Sequence, residues 1–258
     1  MDPATIIGVV IAFGAIFASM IMEGSSPAAI LLPAPMMLVV GGTFGAAMAG
    51  GLFKDATGIV GQLKKAFLAK KVETDTLVST IVSLAERARR EGMLALEDAA
   101  KDLDDPFLKR GLEFAIDGTD PEEVYEILGT EIEAKRKADK AGAKLFADMG
   151  GYSPTIGIIG TVIGLVHVLA NLGAPAELGA LIASAFVATL WGVLLANCLW
   201  LPLASRLKRV SEVECGQMEL VAEGIMAIQS GLNPRLVTQK LHSLLPPTKV
   251  KVEEKGAA

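Results

Sequence analysis

Basic residues are missing from two long stretches of this 258-residue chain: no Lys or Arg precedes Lys54, and none lies between Lys144 and Arg206. Inside the second gap, Ser153 to Leu203 runs for 51 residues without Lys, Arg or Asp and with a single Glu, Glu177. A soluble helix has a charged face; this stretch has none to offer. Cysteine is scarce as well, with only Cys198 and Cys215, in or just beyond the apolar stretch, which argues against a disulfide framework. His167 and His242 are the only histidines, and no GxSxG, P-loop or metal-ligand cluster occurs. Cys198 has no base within sequence reach, so neither enzyme chemistry nor a cofactor is expected, and no feature points to nucleic acid.

What is present is apolar surface. Mean hydropathy is +0.48, with 52% hydrophobic residues against 21% charged, the balance of an integral membrane protein. Thr5 to Met22 supplies a first span, closed by the polar turn Glu23-Gly-Ser-Ser. A second is expected to start near Pro33 or Pro35, where proline suits an opening turn, and to continue through Phe53. The third and fourth form a hairpin, from SPTIGIIGTVIGLVHVLANL to a limb ending near Leu203, reversing at Asn171-Leu-Gly-Ala-Pro175. Small residues recur at Gly42, Ala46 and Gly50, and at Gly157, Gly160 and Gly164, leaving surfaces that another helix can approach closely. Placing both basic blocks in the cytoplasm puts both termini inside. The first apolar segment lacks a basic flank and leads into a second span, so it reads as a retained helix rather than a cleavable signal.

The fold class is therefore all-α membrane protein, four transmembrane helices with a helical cytoplasmic insert between spans 2 and 3. The expected division is 1–53 for spans 1 and 2, 54–149 for the insert, 150–205 for the hairpin, 206–245 for C-terminal cytoplasmic helices and 246–258 for a disordered tail. Within the insert, Leu77, Ile81, Leu84 and Ala88 form an apolar stripe on a helix that Gly92 ends. Asp105-Pro106 and Asp120-Pro121 read as N-caps followed by proline, and Glu131/Lys135 and Glu133/Lys137 as i,i+4 pairs on a solvated face. The helix begun at Pro121 should feed straight into the third span. After the basic juncture Arg206, Lys208, Arg209, an amphipathic helix runs to about Ser230, Gly231-Leu-Asn-Pro234 breaks it, and a short helix reaches Leu245.

The hairpin carries two polar side chains, Thr161 and Thr189. The limbs are antiparallel, so Pro154 and Pro202 lie near the same face of the membrane; at about 1.5 Å per residue, Thr161 lies about 10 Å from Pro154 and Thr189 about 20 Å from Pro202, and the two bracket the mid-membrane. A hydroxyl can replace one water of an ion's shell, which suits an ion path, or it can bond its own helix carbonyl. His167 is open to the same two readings, a proton relay or a ring bonded to a nearby carbonyl. The spans have no carboxylate beyond Glu23 and Glu177 at the loop edges, so an acid for cation transfer would come from another chain.

PTIGIIGTVIGLVHVL from Pro154, ELGALIASAFVATLWG from Glu177 and ARREGMLALE from Ala88 resemble the MotA/PomA family, the larger subunit of the bacterial flagellar stator. The resemblance runs from the first span to about Leu245. ExbB/TolQ proteins share the hairpin but have three spans and lack ARREGMLALE. The resemblance implies an inner-membrane homopentamer around a MotB/PomB-like B-type subunit, whose aspartate carries the ion, and torque on the rotor switch protein FliG. It also implies rotor-binding roles for Arg89 and Glu97, with Arg90 beside them, and functional roles for Pro154 and Pro202. Thr161 and Thr189 lean towards Na+ over H+, since sodium-driven members look alike there. The competing readings are a non-conducting membrane scaffold and an ExbB/TolQ-like energy-transducing subunit.

Overall fold

A computed structural model describes residues 4–68 and 74–245; the tail from Pro246, expected to be disordered, lies outside them. The described residues form helices and turns, without strands, and pack as two units. Of the described residues, one takes 4–68 and 138–211, the other 74–137 and 212–245. This cut follows packing, whereas the division expected above follows the membrane.

In the first unit, α1 (Ala4–Met22) ends at Gly24, whose φ of 77° turns the chain. Ser26 caps a 3-10 turn, Pro27–Ile30, by accepting from the Ala28 N–H at 3.3 Å. Next, α2 spans Pro33–Ala49, stopping short of the Phe53 anticipated from hydropathy. The reason is local: Gly50 and Gly51 follow in succession, and the Asp55 carboxylate accepts from the Leu52 N–H at 3.2 Å, starting α3 (Phe53–Thr57) instead. Then comes α4 (Ile59–Leu68). The core gathers Phe146, Met149, Leu203 and Leu207, all nearly inaccessible, and a second cluster around Val39 and Trp191. The Trp191 indole N–H donates to the Ile30 carbonyl at 2.6 Å, tying the 3-10 turn down. Gly42 abuts Ile156, whose Cγ2 would lie 3.1 Å from an added Cβ, so that part of the small-residue stripe packs within the chain.

In the second unit, α5 (Thr74–Glu91) buries Leu77, Ile81 and Leu84, as its stripe indicates, and Gly92 ends it at φ 88°. A 3-10 turn (Met93–Ala95), α6 (Leu96–Lys101) and α7 (Pro106–Ile116) follow. Asp105 caps α7 through the N–H groups of Phe107 (2.9 Å) and Leu108 (3.3 Å), and Asp120 accepts from the Glu122 N–H at 2.9 Å to start α8. That helix is continuous from Pro121 to Ala170, uninterrupted by Pro154. Residues 138–211 belong to the first unit again: the rest of α8, then, after the turn, α9 (Pro175–Leu195), a π turn (Ala196–Trp200) and the start of α10 (Leu201–Gln229). Gly231, at φ 63°, breaks α10, and Asn233 caps α11 (Pro234–Ser243).

The charged face of α8 is solvent-exposed at Glu133 and Lys137, but its ion pairs are not the i,i+4 ones that the spacing suggests. Glu131 pairs with Arg110 at 3.0 Å and Lys135 with Glu214 at 2.5 Å, while Glu133 bonds Arg136, which also reaches Glu219. Arg110 sits on α7 and Glu214 and Glu219 on α10, so apart from the i,i+3 contact of Glu133 with Arg136 the pairs run between helices. Tyr125 donates to Glu223 at 3.1 Å, and the Glu223 charge raises the phenol above its ordinary pKa.

Candidate ion path and partner-facing surface

The hairpin limbs are antiparallel and held by glycine. A Cβ on Gly157 would stand 2.9 Å from the Ala188 carbonyl oxygen and 3.1 Å from the Thr189 Cα; one on Gly192 would stand 2.6 Å from the Ser153 carbonyl oxygen. Gly164 meets Ala185 in the same way, with its Cα at 2.9 Å. Only glycine permits this approach, which is how helices associate where lipid removes the hydrophobic drive between them. Ser153, fully buried, donates its hydroxyl to the Gly192 carbonyl at 2.8 Å. Sequence reasoning passed over both residues; a serine just before a helix proline, in a limb otherwise nearly free of hydrogen-bonding side chains, is the signal that could have marked one of them.

Thr161 and Thr189 do not bracket the mid-membrane at different levels. Their hydroxyls are hydrogen-bonded to each other. Thr161 Oγ1 also lies 3.0 Å from the Ala185 carbonyl and 3.3 Å from that of Gly157, and Thr189 Oγ1 lies 3.2 Å from the Gly157 carbonyl. Each hydroxyl has one proton, so the pair and three carbonyl contacts share two donors. Both side chains are half-buried, so the pair stays reachable from outside the chain. The sequence estimate failed because it set the prolines level. Leu201, next to Pro202, lies against Gly150, one helical turn before Pro154, so the prolines share an end of the hairpin but not a level.

The two prolines also act differently on their helices. Pro154 leaves α8 unbroken. Pro202 follows a π turn in which the Leu201 N–H bonds the Ala196 carbonyl, a widening that relieves a ring which cannot donate to Cys198 and would press on its carbonyl. His167 is exposed, and among the described residues its ring makes no hydrogen bond; its backbone carbonyl instead accepts from Asn171 at 2.8 Å. The expectation of a ring bonded to a carbonyl is therefore corrected, since the ring points away from the packed face. Outward from the hairpin, Ile158, Ile159, Val162, Ile163, Val166 and Leu169 are all more than half exposed, an apolar face that calls for lipid or another helix.

In the second unit, Arg89, Arg90 and Glu97 flank the Gly92 break and are all exposed. Arg90 pairs with Glu86 at 2.9 Å and Glu97 with Lys101 at 3.7 Å, whereas Arg89 has no ion pair among the described residues. The Lys101 hydrogen bond holds the Asp98 carboxyl below its ordinary value. Leu94 stands out between these charges at 76% exposure, on a turn held down by buried Leu96.

Comparison with known proteins decides the family. A profile described as the MotA/TolQ/ExbB proton channel family matches residues 99–220, and one described as Motility protein A N-terminal matches residues 6–92. Motility protein A of Bacillus subtilis is 37% identical over 260 residues, covering 100% of this chain and 96% of that protein. The chain belongs to the motility protein A family. It is also 32% identical to chemotaxis protein PomA of Vibrio alginolyticus, over 95% of this chain and 96% of the relative. Among solved structures, that of C. jejuni MotAB matches with a TM-score of 0.93 and 29% identity, covering 98% of this chain and 100% of that one. The flagellar MotAB stator complex from Bacillus subtilis matches at 0.89 and 36% identity, over 96% and 97%. The threonine pair and both prolines fall within the channel-family match, and Arg89 and Arg90 within the other; Glu97 lies in the short gap between them.

Proposed function

We propose that this chain, a flagellar stator subunit of the bacterial inner membrane, lines a cation path with its α8–α9 hairpin and turns ion flow into torque. Its partner is a MotB-type subunit, as in the matched MotAB complexes. The finer reading is a pentameric ring around that partner, whose aspartate loads the ion, with FliG as the rotor target. Four spans carry it: among the described residues three helices are long and apolar enough to cross a membrane, and the 17 residues of α2 give about 25 Å, at the short end of what a span requires. Both termini face the cytoplasm, in keeping with the two basic blocks.

The observation that carries the reading is the Thr161–Thr189 contact. In a glycine-packed apolar hairpin it is a hydroxyl pair on a side still reachable from outside the chain, where a partner's carboxylate can meet it. Hydroxyls matter more to sodium, which must exchange hydration water for oxygen ligands, than to a proton, and sodium is therefore the proposed ion. The π turn before Pro202, and Pro154 one turn away along the hairpin, leave the inner end of the limbs with fewer backbone bonds to break as the partner's acid loads and unloads.

The test is complementation. Co-expressed with its B-type partner in a strain lacking stators, the chain should restore swimming and co-purify with that partner. A chain that inserts and co-purifies but restores no rotation under any cation would leave the non-conducting scaffold as the better reading. Replacing sodium by potassium at constant ionic strength and pH should stop the motor; unchanged speed would assign it to protons.

A further inference from the structure

A groove lies between α1 and the π turn, apart from the threonine pair and the rotor-facing charges. It encloses about 470 Å³ in the first unit, lined by Ala4, Thr5, Gly8 and Val9 on one side and by Cys198 and Arg206 among the residues of the other. Among the described residues its walls are mostly apolar or small, with Asn197 the polar exception, and Arg206 is the charged residue that lines it. The Arg206 Nε–H donates to the Ala66 carbonyl at 3.5 Å, which orients the guanidinium; with five N–H donors in a planar fork, that group holds several acceptors at once. Lys208 and Arg209, both exposed, follow on the same helix and keep that end positive. At Gly8 an added Cβ would meet nothing within 4 Å, so the groove is open along α1, a helix with no buried residue of its own.

We propose that this groove binds an anionic phospholipid of the cytoplasmic leaflet, its phosphate on Arg206 and an acyl chain along Gly8. The inference rests on the membrane placement given under Proposed function, which sets Arg206 at the inner face, where anionic lipid concentrates. Phosphate and guanidinium match in charge and in bidentate geometry. Size argues against a helix from a second copy: a cylinder ~10 Å wide following α1 for the ~12 Å from Ala4 to Ala12 would occupy about 900 Å³, near twice the groove. An acyl chain is narrow enough, and the volume falls in the usual range of ligand sites, about 300–1,000 Å³.

The full chain, with whatever partner co-purifies, would be exchanged into detergent with equal amounts of dioleoylphosphatidylglycerol and dioleoylphosphatidylcholine and its retained lipids counted by native mass spectrometry. Phosphatidylglycerol should be retained and phosphatidylcholine lost. Arg206→Gln should reduce retention at least fivefold, with partial recovery in Arg206→Lys, and Gly8→Leu should do the same by filling the groove with the charge intact. Gly129→Leu, in equally open space in the second unit, should leave it unchanged. If Arg206→Gln fails to fold, Gly8→Leu decides. Equal retention of the two lipids, or wild-type retention in Gly8→Leu, overturns the proposal. So does a Gly8→Leu variant that alters subunit number while keeping its lipid, because a second copy then fills the groove. Failure to co-purify a B-type partner would count against the stator reading and leave the lipid count to be judged by itself.

Discussion

Both units of this molecule use glycine at helix contacts, and they use it for different ends. In the hairpin, Gly157 and Gly192 face backbone: carbonyl oxygens of Ala188 and Ser153 and the Cα of Thr189. In the second unit, Gly224 faces the Cγ2 methyl of Ile81, and Gly111 the Cδ1 end of Ile225, both branched side chains of the core. The difference follows the solvent each unit suits. Where helices gain nothing by burying apolar surface from lipid, close backbone contact supplies the attraction; where water drives burial, glycine makes room for a larger side chain, and burial does the rest.

The sharpest way to break this comparison is to add one methyl group in each place. Gly192→Ala puts a Cβ against the Ser153 carbonyl and the Gly157 backbone, neither of which can rotate aside, so the limbs must part. We expect a loss of about 3 kcal/mol or more, read as failure to assemble and complete loss of swimming. Gly111→Ala meets the Ile225 Cδ1, the end of a side chain that can swing about χ2 without moving backbone. The expected cost is about 1 kcal/mol, a small fall in thermal midpoint with motility kept. Equal effects of the two would mean that the hairpin repacks as readily as a side-chain core.

The same contrast explains what the sequence revealed. The second unit was largely legible, because burial there leaves a 3.6-residue signature: the stripe on α5, the caps at Asp105 and Asp120 and the break at Gly92 all fall where pattern and turn chemistry put them. Its charge pairs were not, since Glu131 and Lys135 had partners three to four residues away in sequence and better-placed ones on α7 and α10. In the first unit, the apolar stretches marked helices but not their ends. Hydropathy stays high through Phe53, while α2 stops at Ala49 for want of propensity at Gly50 and Gly51. Thr161 and Thr189 could be picked out as polar exceptions, yet their contact depends on the register between limbs, which the rise along each helix does not supply.

A smaller effect is expected at the exposed charges of the second unit. Arg89 has no ion pair among the described residues, and Glu97 holds only a 3.7 Å contact with Lys101, so neither is committed to the fold. Neutralising one should change stability by less than about 0.5 kcal/mol and swimming only slightly, since single exposed contacts to a rotor are worth no more than about 1 kcal/mol. Arg89→Glu or Glu97→Lys should reduce torque with membrane insertion and partner binding intact, and a compensating reversal on the rotor should restore it. Normal swimming in both reversed variants would make these residues a solvated face and nothing more.

The smallest structural effect, and the most informative about the ion, belongs to the threonine pair. Thr161→Ala removes one hydroxyl from the pair and frees the Ala185 carbonyl of a donor at 3.0 Å, while Thr189 keeps its 3.2 Å route to Gly157. Interhelical bonds of this kind in membranes contribute only about 0.6 kcal/mol on average, so folding and partner binding should hardly change. Ion selectivity answers to a different quantity, the number of oxygens that can replace hydration water, and there the loss is one of two hydroxyls. If sodium drives the motor, Thr161→Ala should slow swimming most at low sodium and recover towards wild-type speed as sodium rises, because weaker binding can be offset by concentration. Thr161→Ser, which keeps the oxygen, should restore the original dependence. A proton-driven motor would show no sodium dependence in any of the three proteins, and the hydroxyl pair would then be holding the limbs in register only.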